Sequence, residues 1–304
     1  PAALVAAWLA EASISDDCDN APTLTHNFDN GALDVCAAAD YSITVTWTAT
    51  DACGNTTSDS QTIDVTVDVT APTLTAPADV TFDADVNCNF VLSDYTSTIA
   101  GDDCDSDVQV SQSPLPGTVL PLGLTVVTLT ATDNCGNESE DTFDVVVEDN
   151  TNPVAICQDI TVQLDATGNA TITAADVDNS SYDNCSVAST VINITDFTCA
   201  DLGSNQVVLT VTDGAGNTAT CISNVIVVDQ IAPTFTCPSP VDVQGCDGLV
   251  PDLISAIGDE ADNCVSVTMT QDPLPGVSIG GFGNSVDVVI TATDGSGNTT
   301  ICTV

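Results

Sequence analysis

The sequence has no lysine and no arginine, and only one histidine among its 304 residues. Because it carries 44 acidic side chains, its formal net charge is −44. Proteins bind phosphate groups, nucleic acids and anionic lipid headgroups chiefly through lysine and arginine, so this composition argues against all three ligands. The sequence also lacks an apolar run of the roughly 18 residues that a membrane-spanning helix needs, which argues against membrane insertion.

Groups suited to catalysis are scarce as well. A serine or cysteine hydrolase needs a general base, and the single histidine, His26, has no counterpart elsewhere in the chain. Paired carboxylates, which glycosidases use, occur throughout such an acidic chain and therefore single out no site. The sequence contains no Cys-x-x-Cys, so a zinc ribbon or a redox motif has no support. We therefore expect a protein that is not an enzyme.

What the sequence does contain is a repeated motif. Residues 130–137 read Thr-Ala-Thr-Asp-Asn-Cys-Gly-Asn, and related segments occupy 48–55, 210–217 and 291–298. The last asparagine of each copy recurs at intervals of 82, 80 and 81 residues: Asn55, Asn137, Asn217 and Asn298. A fixed period of this length indicates a tandem array. Alternating apolar and polar residues on both sides of each copy predict a β-hairpin, in which glycine takes a positive φ and aspartate caps backbone amides.

Each repeat contains roughly six or seven short alternating segments separated by turn residues, as in a small sandwich of the immunoglobulin type. The sequence therefore predicts an all-β chain of tandem immunoglobulin-like antiparallel β-sandwiches of about 80 residues each. The predicted repeats are 1–70, 71–151, 152–231 and 232–304. The first lacks its opening strands and the last its final strand, which fits a segment of a longer repetitive protein or one completed by strands from neighbours. Short junctions with proline, such as Asp68–Pro72, predict a stiff array.

The first residues are ambiguous. Residues 1–11 look helical in isolation, but Leu4-Val5 aligns with Leu249-Val250 of the fourth repeat. The alignment indicates that the first repeat enters partway through the period, and a short helical turn stays open as an alternative.

The 14 cysteines recur at similar places in the repeats, which predicts disulfides and an oxidising, extracellular location. If equivalent positions pair alike, the predicted pairs are Cys18–Cys36, Cys88–Cys104, Cys157–Cys221, Cys185–Cys199, Cys237–Cys302 and Cys246–Cys264. Cys53 and Cys135 are left over. They are interpreted as buried thiols, as rival partners for Cys18 and Cys104, or as links to another chain.

Three motifs taken together resemble the hyalin repeat. They are an opening Pro-x-x-x-Cys, as in Pro153–Cys157 and Pro233–Cys237, a central Asp-Asn-Cys, as in 183–185, and the closing Thr-Ala-Thr-Asp-x-x-Gly-Asn. Residues 157–173 are also similar to repeats in very large surface proteins of Bacteroidota. The resemblance covers nearly the whole chain, although the first two repeats lack the cysteine that follows Gly-Asn. It implies an immunoglobulin-like repeat of a secreted adhesin, gliding or filament protein, with type IX export as one route, and it supplies no binding residue.

Acidic residues concentrate at the predicted junctions, where carboxylate oxygens could bind calcium. The candidate ligands precede the linker prolines, occupy the closing turns, or lie in Asp-Asp-Cys motifs: Asp68, Asp149, Asp229, Asp51, Asp133, Asp213, Asp294, Asp16 and Asp102. Two or three such carboxylates could form a site that stiffens a joint, and bound cations would also screen the self-repulsion of the chain. The spacing does not fit an EF-hand, and solvated acidic loops that serve only solubility are the alternative.

The sequence thus predicts a non-enzymatic structural segment of an extracellular or cell-surface adhesin, stalk or filament, stiffened by disulfides and by calcium. Its predicted partners are neighbouring repeats and other copies in a filament, with an unidentified surface or glycan ligand. One alternative is a calcium-dependent module that binds a glycan or a protein. Another is a set of domains accessory to a secreted hydrolase.

Overall fold

The computed structural model describes residues 2–17, 21–104, 106–243, 248–280 and 284–304. The chain forms two compact units: one comprises Pro1–Ala84 and Asn89–Glu148, and the other comprises Asp85–Cys88 and Asp149–Val304. The first unit holds most of the first two predicted repeats, and the second unit holds the last two. The boundaries of the individual repeats remain predictions.

The first unit contains one α-helix, a short 3₁₀-helix at Asn30–Ala32 and eleven strands among its described residues. The elements are α1 (Ala2–Leu9), β1 (Thr23–His26), β2 (Tyr41–Thr50), β3 (Thr56–Val65), β4 (Thr73–Leu74), β5 (Val80–Asp83), β6 (Phe90–Val91), β7 (Ala100–Gly101), β8 (Gln109–Ser113), β9 (Val119–Leu120), β10 (Gly123–Thr132) and β11 (Glu138–Glu148). The first repeat has one sheet in the order β1-β2-β3. The second has a sheet in the order β5-β11-β10-β8 and two small sheets, β4-β7 and β6-β9.

The second unit repeats this plan. Its strands and α-helix are β12 (Ile160–Gln163), β13 (Asn169–Thr171), α2 (Ala174–Val177), β14 (Val187–Ile192), β15 (Asp196–Thr198), β16 (Gly203–Asp213), β17 (Thr218–Val228), β18 (Thr268–Asp272), β19 (Val289–Thr293) and β20 (Thr299–Thr303), with 3₁₀-helices at Cys199–Asp201 and Ile254–Ala256. The third repeat has a sheet in the order β12-β17-β16-β14 and a small sheet, β13-β15. The described residues of the fourth form one sheet in the order β18-β19-β20.

Strict alternation of side chains builds the core of each repeat. In β10, Val127, Leu129 and Ala131 are fully buried, and the threonines between them lie on the other face. Because successive side chains of a strand point to opposite faces, every second residue packs inward. The same positions in β16 are Val207, Leu209 and Val211, also fully buried. The prediction of an all-β chain of tandem immunoglobulin-like sandwiches is confirmed.

The sandwiches are not purely antiparallel, which corrects the prediction. The opening strand β5 runs parallel to the closing strand β11, and β12 runs parallel to β17. The chain enters a repeat at the end where the closing strand begins, so the first and last strands share one direction. The closing turns made the hairpins β10–β11 and β16–β17 visible in the sequence, whereas the parallel pairs are joined by no hairpin.

The N-terminal segment is an α-helix, which is the alternative that the sequence left open. Helix α1 spans eight residues, and its Trp8 packs edge-on against Trp47 of β2 with ring centroids 4.9 Å apart. The alanines and leucines of this segment have high intrinsic helix propensity, and that local preference outweighed the alignment with the fourth repeat.

Two predicted disulfides are formed, and three others contradict the prediction. Cys157–Cys221 and Cys237–Cys302 each join the start of a repeat to its closing strand, with Cα atoms 5.8 and 5.9 Å apart. The other disulfides join cysteines of successive repeats: Cys36–Cys135, Cys88–Cys185 and Cys199–Cys264. The predicted Cys18–Cys36, Cys88–Cys104, Cys185–Cys199 and Cys246–Cys264 therefore do not form.

The error came from assuming that each repeat pairs its own cysteines. The loop that carries Cys88 instead meets the Asp-Asn-Cys loop of the third repeat, where the Asn184 side chain donates to the Asp85 carbonyl at 3.1 Å. Cys135, left over in the prediction, is bonded, whereas Cys53 and Cys104 are exposed free thiols. Cys18 and Cys246 lie outside the described residues.

Candidate metal centre

The closing turn owes its shape to an aspartate and an asparagine four residues apart. In the third repeat, one carboxylate oxygen of Asp213 accepts from the amides of Ala215, Gly216 and Asn217 at 2.7–2.9 Å, and the other accepts from the Asn217 side chain at 2.8 Å. Gly216 has φ +98°, a conformation that other residues rarely adopt. The predicted role of the motif as a capped hairpin turn is therefore realised in the structure.

These hydrogen bonds also set the charge of the turn. Burial by itself would raise the pKa of Asp213, which is only 2% exposed, but the bonds from Asn217 and the turn amides outweigh it and hold the pKa below the usual range. Asp133 and Asp294 behave in the same way, with Asn137 and Asn298 as the donors. The turns therefore keep buried negative charges at neutral pH.

The asparagine of the closing turn also forms a hydrogen bond to the linker between repeats. Its side-chain amide donates to the backbone carbonyl of the linker aspartate in three repeats. The bonds are Asn137 to Asp68 (3.2 Å), Asn217 to Asp149 (3.0 Å) and Asn298 to Asp229 (3.1 Å). The Gly-Asn motif thus fixes the position of the aspartate that precedes each linker proline.

Beside each fixed linker lies a group of acidic side chains. Asp68, Asp102 and Asp133 form one group in the first unit, and Asp229, Asp262 and Asp294 form another in the second. A third group pairs Asp149 with Asp183, next to Cys185. One potential ligand atom from each member lies within 4.8 Å of the others, which is about twice a calcium–oxygen distance, so the oxygens of a group can share one ion.

Several oxygens at these groups are buried and have no hydrogen-bond donor. In one group they are Oδ2 of Asp149, a residue only 6% exposed, and Oδ1 of Asp183, and at the other junction Oδ1 of Asp262. The side-chain carbonyl oxygens of Asn184 and Asn263 are buried without a donor as well. A buried carboxylate oxygen without a partner is costly, and a chain without lysine or arginine supplies no permanent cation to offset it. The geometry therefore fits a hard cation with oxygen ligands.

The sulfur atoms near these groups are poor ligands. Cys185 is bonded to Cys88, so it offers no thiolate. The Cys104 thiol lies near Asp68 and Asp103, and desolvation together with the charges of Asp103, Asp68 and Asp102 raises its pKa. The thiol consequently stays protonated at neutral pH, which leaves oxygen as the ligand type and favours calcium over zinc.

The structure brings together some of the predicted ligands. Asp68, Asp102 and Asp133 meet as expected, and Asp149 and Asp229 each join an acidic group. Asp213 instead directs both oxygens to its own turn. Asp16 and Asp51 belong to no such group among the described residues.

The sequence reasoning missed Asp183 and Asp262, together with the neighbouring Asn184 and Asn263. All four belong to the Asp-Asn-Cys motif, which the sequence repeats. Its recurrence beside buried linker aspartates was the available signal.

The junctions in the second unit are tightly packed. A Cβ atom on Gly168 would lie 2.6 Å from the Asn263 carbonyl oxygen and 2.8 Å from the Cys199 sulfur, so only glycine fits there. The Asn263 side chain donates to the Asp165 carbonyl at 3.2 Å and to the Asp229 carboxylate at 3.1 Å. The Asp-Asn-Cys loop is therefore held from both sides at the place where its oxygens are buried.

Comparisons with known proteins agree with the repeat motifs. A family model described as the HYR domain matches residues 67–147. Hyalin of Strongylocentrotus purpuratus is 31% identical over 207 residues, which cover 64% of this chain and 17% of that protein. Hyalin of Lytechinus variegatus is 32% identical over 211 residues, which cover 65% of this chain and 39% of that protein. The resemblance to the hyalin repeat is confirmed, and the chain spans about one sixth and two fifths of these relatives.

Solved structures show weaker likeness. The protocadherin GammaB4 extracellular domain is 17% identical with a TM-score of 0.34, over 87% of this chain and 53% of that chain. The human desmocollin-1 ectodomain is 13% identical with a TM-score of 0.24, over 89% and 67%. At these scores the likeness supports no further inference about this chain.

The location follows from these observations. Disulfides persist in oxidising compartments, and five occur among the described residues. Together with the similarity to hyalin, they identify an extracellular or cell-surface protein, as the sequence predicted. Within the described part of the chain, no helix has the length and hydropathy to cross a bilayer.

Proposed function

We propose that this chain is a non-enzymatic structural segment of an extracellular adhesin, stalk or filament, in which successive repeats are joined by calcium and by disulfides. The observation that carries the proposal is the recurrence of one junction design. A linker aspartate is held by the Gly-Asn of the closing turn beside an Asp-Asn-Cys or Asp-Asp-Cys loop, and disulfides join cysteines of successive repeats. Such a design restrains the angle between neighbours, which serves reach and stiffness.

Calcium is the cation that the junctions suit best. It takes 6 to 8 oxygens at about 2.3–2.6 Å in irregular geometry, and the groups combine carboxylate with amide carbonyl oxygens. In the second unit, Asp149 and Asp183 would provide carboxylates, with the Asn184 carbonyl nearby. Asp229, Asp262 and Asp294 would do so at the next junction, and Asp68, Asp102 and Asp133 in the first unit. The ion would neutralise charges that otherwise repel each other when buried.

The partners follow from the same reasoning. Neighbouring repeats are the first partners, and other copies of the chain in a filament are the second. A net charge of −44 with no lysine or arginine argues against nucleic acid and against direct membrane insertion. A surface or glycan ligand would have to be recognised without a basic side chain other than His26.

The cation proposal is tested by calorimetric unfolding of the intact chain with calcium and with a chelator. Calcium at about 100 times its Kd should stabilise each occupied site by about 2.7 kcal/mol and raise the Tm. Asp183→Asn keeps the side-chain shape but removes charge, so its Tm should respond less to calcium. The matched control is Asp94→Asn, because Asp94 caps an exposed turn at Thr96 outside the acidic groups. An equal Tm with calcium and with chelator would refute the cation sites.

The structural role is tested by imaging and small-angle scattering of the native protein. We expect elongated particles with a repeat related to one or two units, and a looser particle after chelation. Compact monomers that bind a glycan or a protein saturably would instead support the binding-module alternative. A catalytic module in the same polypeptide would support the role as an accessory to a hydrolase.

A further inference from the structure

The asparagine of each described Asp-Asn-Cys motif is bonded to a distant loop through its side-chain nitrogen. The Asn184 side chain donates to the backbone carbonyl of Asp85 at 3.1 Å, across 99 positions of the chain. The Asn263 side chain donates to the backbone carbonyl of Asp165 at 3.2 Å, across 98 positions. Asp85 is the second residue after β5, and Asp165 is the second residue after β12. The same contact therefore occurs twice, at equivalent places.

The two loops that receive these bonds have the same conformation. In the 85–88 loop the Cys88 amide donates to the Asp85 carbonyl at 3.0 Å, and in the 165–168 loop the Gly168 amide donates to the Asp165 carbonyl at 2.9 Å. The fourth residue is left-handed in both loops, with φ +62° for Cys88 and +78° for Gly168. Because a carbonyl oxygen has two lone pairs, it can accept from the loop amide and from the asparagine together. We call each bond from an asparagine side chain to a loop carbonyl a clasp.

The disulfides beside the two clasps differ. The cysteine that follows the asparagine is Cys185 at one place, and it is bonded to Cys88 of the 85–88 loop itself. At the other place it is Cys264, which is bonded to Cys199, outside the 165–168 loop. The feature common to both places is therefore the clasp and not one particular disulfide.

The side-chain oxygens of the same asparagines are buried and have no hydrogen-bond donor. A backbone carbonyl can only accept, so the nitrogen of each side-chain amide must face the loop, and the oxygen is available to another partner. Asn184 follows Asp183 and Asn263 follows Asp262, and both aspartates belong to the acidic groups. The Asn263 nitrogen also donates to the Asp229 carboxylate of its group, at 3.1 Å. The asparagines therefore lie between the loops and the proposed cation sites.

Asp149 gives independent evidence for a ligand at one of these sites. It is only 6% exposed, and its buried Oδ2 has no hydrogen-bond donor among the described residues. The Oδ1 atom of Asp183, in the same group, is also buried without a donor. A hard cation binds carboxylate and amide oxygens alike, so one ion would satisfy these two atoms and the Asn184 oxygen.

Given the cation sites of the proposed function, on which this inference rests, we propose that Asn184 and Asn263 are cation ligands whose clasps tighten when calcium binds. A cation on the amide oxygen fixes the orientation of the side chain. It also draws electron density from the amide nitrogen, which makes its N–H groups stronger donors to the loop carbonyl. Each asparagine thus transmits the presence of calcium to a loop that contributes no member to the acidic groups among the described residues.

Amide hydrogen exchange of the intact chain, followed by NMR with calcium and with a chelator, tests the proposal. The Cys88 and Gly168 amides report on the two loops, because each donates to the carbonyl of a clasp. We expect calcium to slow their exchange at least about tenfold, a factor equal to 1.4 kcal/mol. The matched control is the Gly54 amide, which donates to the Asp51 carbonyl at 3.1 Å in a turn of the same length. Asp51 belongs to no acidic group in the described part of the chain, so the exchange of Gly54 should change less than about twofold.

Asn184→Asp separates the two roles of the side chain. Its carboxylate can bind calcium but has no N–H group to donate to the Asp85 carbonyl. At a calcium concentration that saturates this variant, the exchange of Cys88 should no longer respond to calcium, whereas that of Gly168 should keep its response. Asn263→Asp should give the opposite result. A merely structural asparagine would change the exchange of a loop without changing its response to calcium.

Isothermal titration with calcium tests the role of the asparagine as a ligand. Asn184→Ala removes the side-chain oxygen and should weaken binding at one site at least about tenfold. The control is Asn179→Ala, which removes an exposed side chain outside the acidic groups and should leave the titration unchanged. Equal titrations of the two variants would overturn the ligand role.

The remaining outcomes distinguish this proposal from the cation sites themselves. If calcium binds saturably but the exchange of Cys88 and Gly168 is the same with calcium and with chelator, the clasps do not respond and only this proposal fails. A response of Cys88 that survives in Asn184→Asp would overturn it as well. A chain that binds no calcium would refute the cation sites and the clasps together.

Discussion

The third and first repeats share the same closing turn but differ in what surrounds it. In the third, Cys157–Cys221 ties the opening segment to the closing strand, and Leu209 and Val225 are completely buried. In the first, Trp8 of helix α1 packs against Trp47 of β2, and Ile63, the counterpart of Val225, is half-buried. The same closing turn therefore forms in both repeats, although the burial of the equivalent closing-strand residues differs.

The largest expected difference comes from the core. Leu209→Ala removes a fully buried side chain and should reduce the free energy of unfolding of the third repeat by about 2–5 kcal/mol. Ile63→Ala removes a half-buried side chain and should reduce that of the first repeat by less than about 1 kcal/mol, near the centre of measured mutational effects. Native-state hydrogen exchange resolves the two repeats. Equal losses would show that the first repeat has a complete core.

Removing the disulfide of the third repeat should have the next largest effect. Cys157→Ala/Cys221→Ala opens a link between residues 64 positions apart and should cost about 2–4 kcal/mol of stability. The control is Cys53→Ala in the first repeat, because Cys53 is a free and exposed thiol and its loss should change little. Chemical unfolding of each variant measures the effect. Unchanged stability of the double variant would mean that the opening strand alone holds the third repeat closed.

A smaller difference should appear at the asparagine of the turn. Asn217 donates to Asp213 and also to the linker carbonyl of Asp149, so Asn217→Ala should cost about 1–3 kcal/mol. Asn55 lies in an exposed turn, where it donates to Asp51 at 2.7 Å, and Asn55→Ala should stay within about 0.5 kcal/mol. Thermal unfolding of the two variants measures the loss of stability in each. A larger loss for Asn55→Ala would contradict the role assigned to the linker bond.

The smallest expected difference is in the response to acid. Burial opposes the charge of Asp213, but the bonds from Asn217 and the turn amides outweigh it and keep the folded-state pKa below that of the unfolded chain, about 3.9. The resulting stabilisation is complete above the unfolded pKa and is lost as the pH falls through the lower folded pKa. Asn217→Ala should move the folded-state pKa of Asp213 closer to that of the unfolded chain, so that less stability is lost in acid. NMR titration of the Asp213 carboxylate measures this pKa. An unchanged Asp213 titration would refute the assigned cause.

The comparison also explains what the sequence could reveal. The turn was predictable because Asp213 and Asn217 are four residues apart and satisfy each other locally. The pairing of Cys88 with Cys185 was not, since those residues are 97 positions apart and no local motif connects them. Asp183 was not predictable as a candidate ligand for the same reason, because it lies beside Asp149 only in the folded chain.

Helix α1 and strand β5 show two further limits. Residues 2–9 have a helical sequence preference and form a helix, although they align with a segment of the fourth repeat. The parallel pairing of β5 with β11 brings together segments at opposite ends of a repeat, for which no turn motif gives a signal. The local closing turn was therefore predictable, whereas the parallel pairing of β5 with β11 depends on the path of the chain and was not.

Direct calcium binding to the intact chain tests the central claim, that acidic groups beside fixed linkers hold cations. Isothermal titration at about 0.15 M salt, where weak surface binding is screened, should give saturable sites. Asp183→Asn/Asp262→Asn, which changes two of these groups, should lose sites, whereas Asp94→Asn should keep them all. A titration without saturation, or one identical in the double variant, would contradict the account.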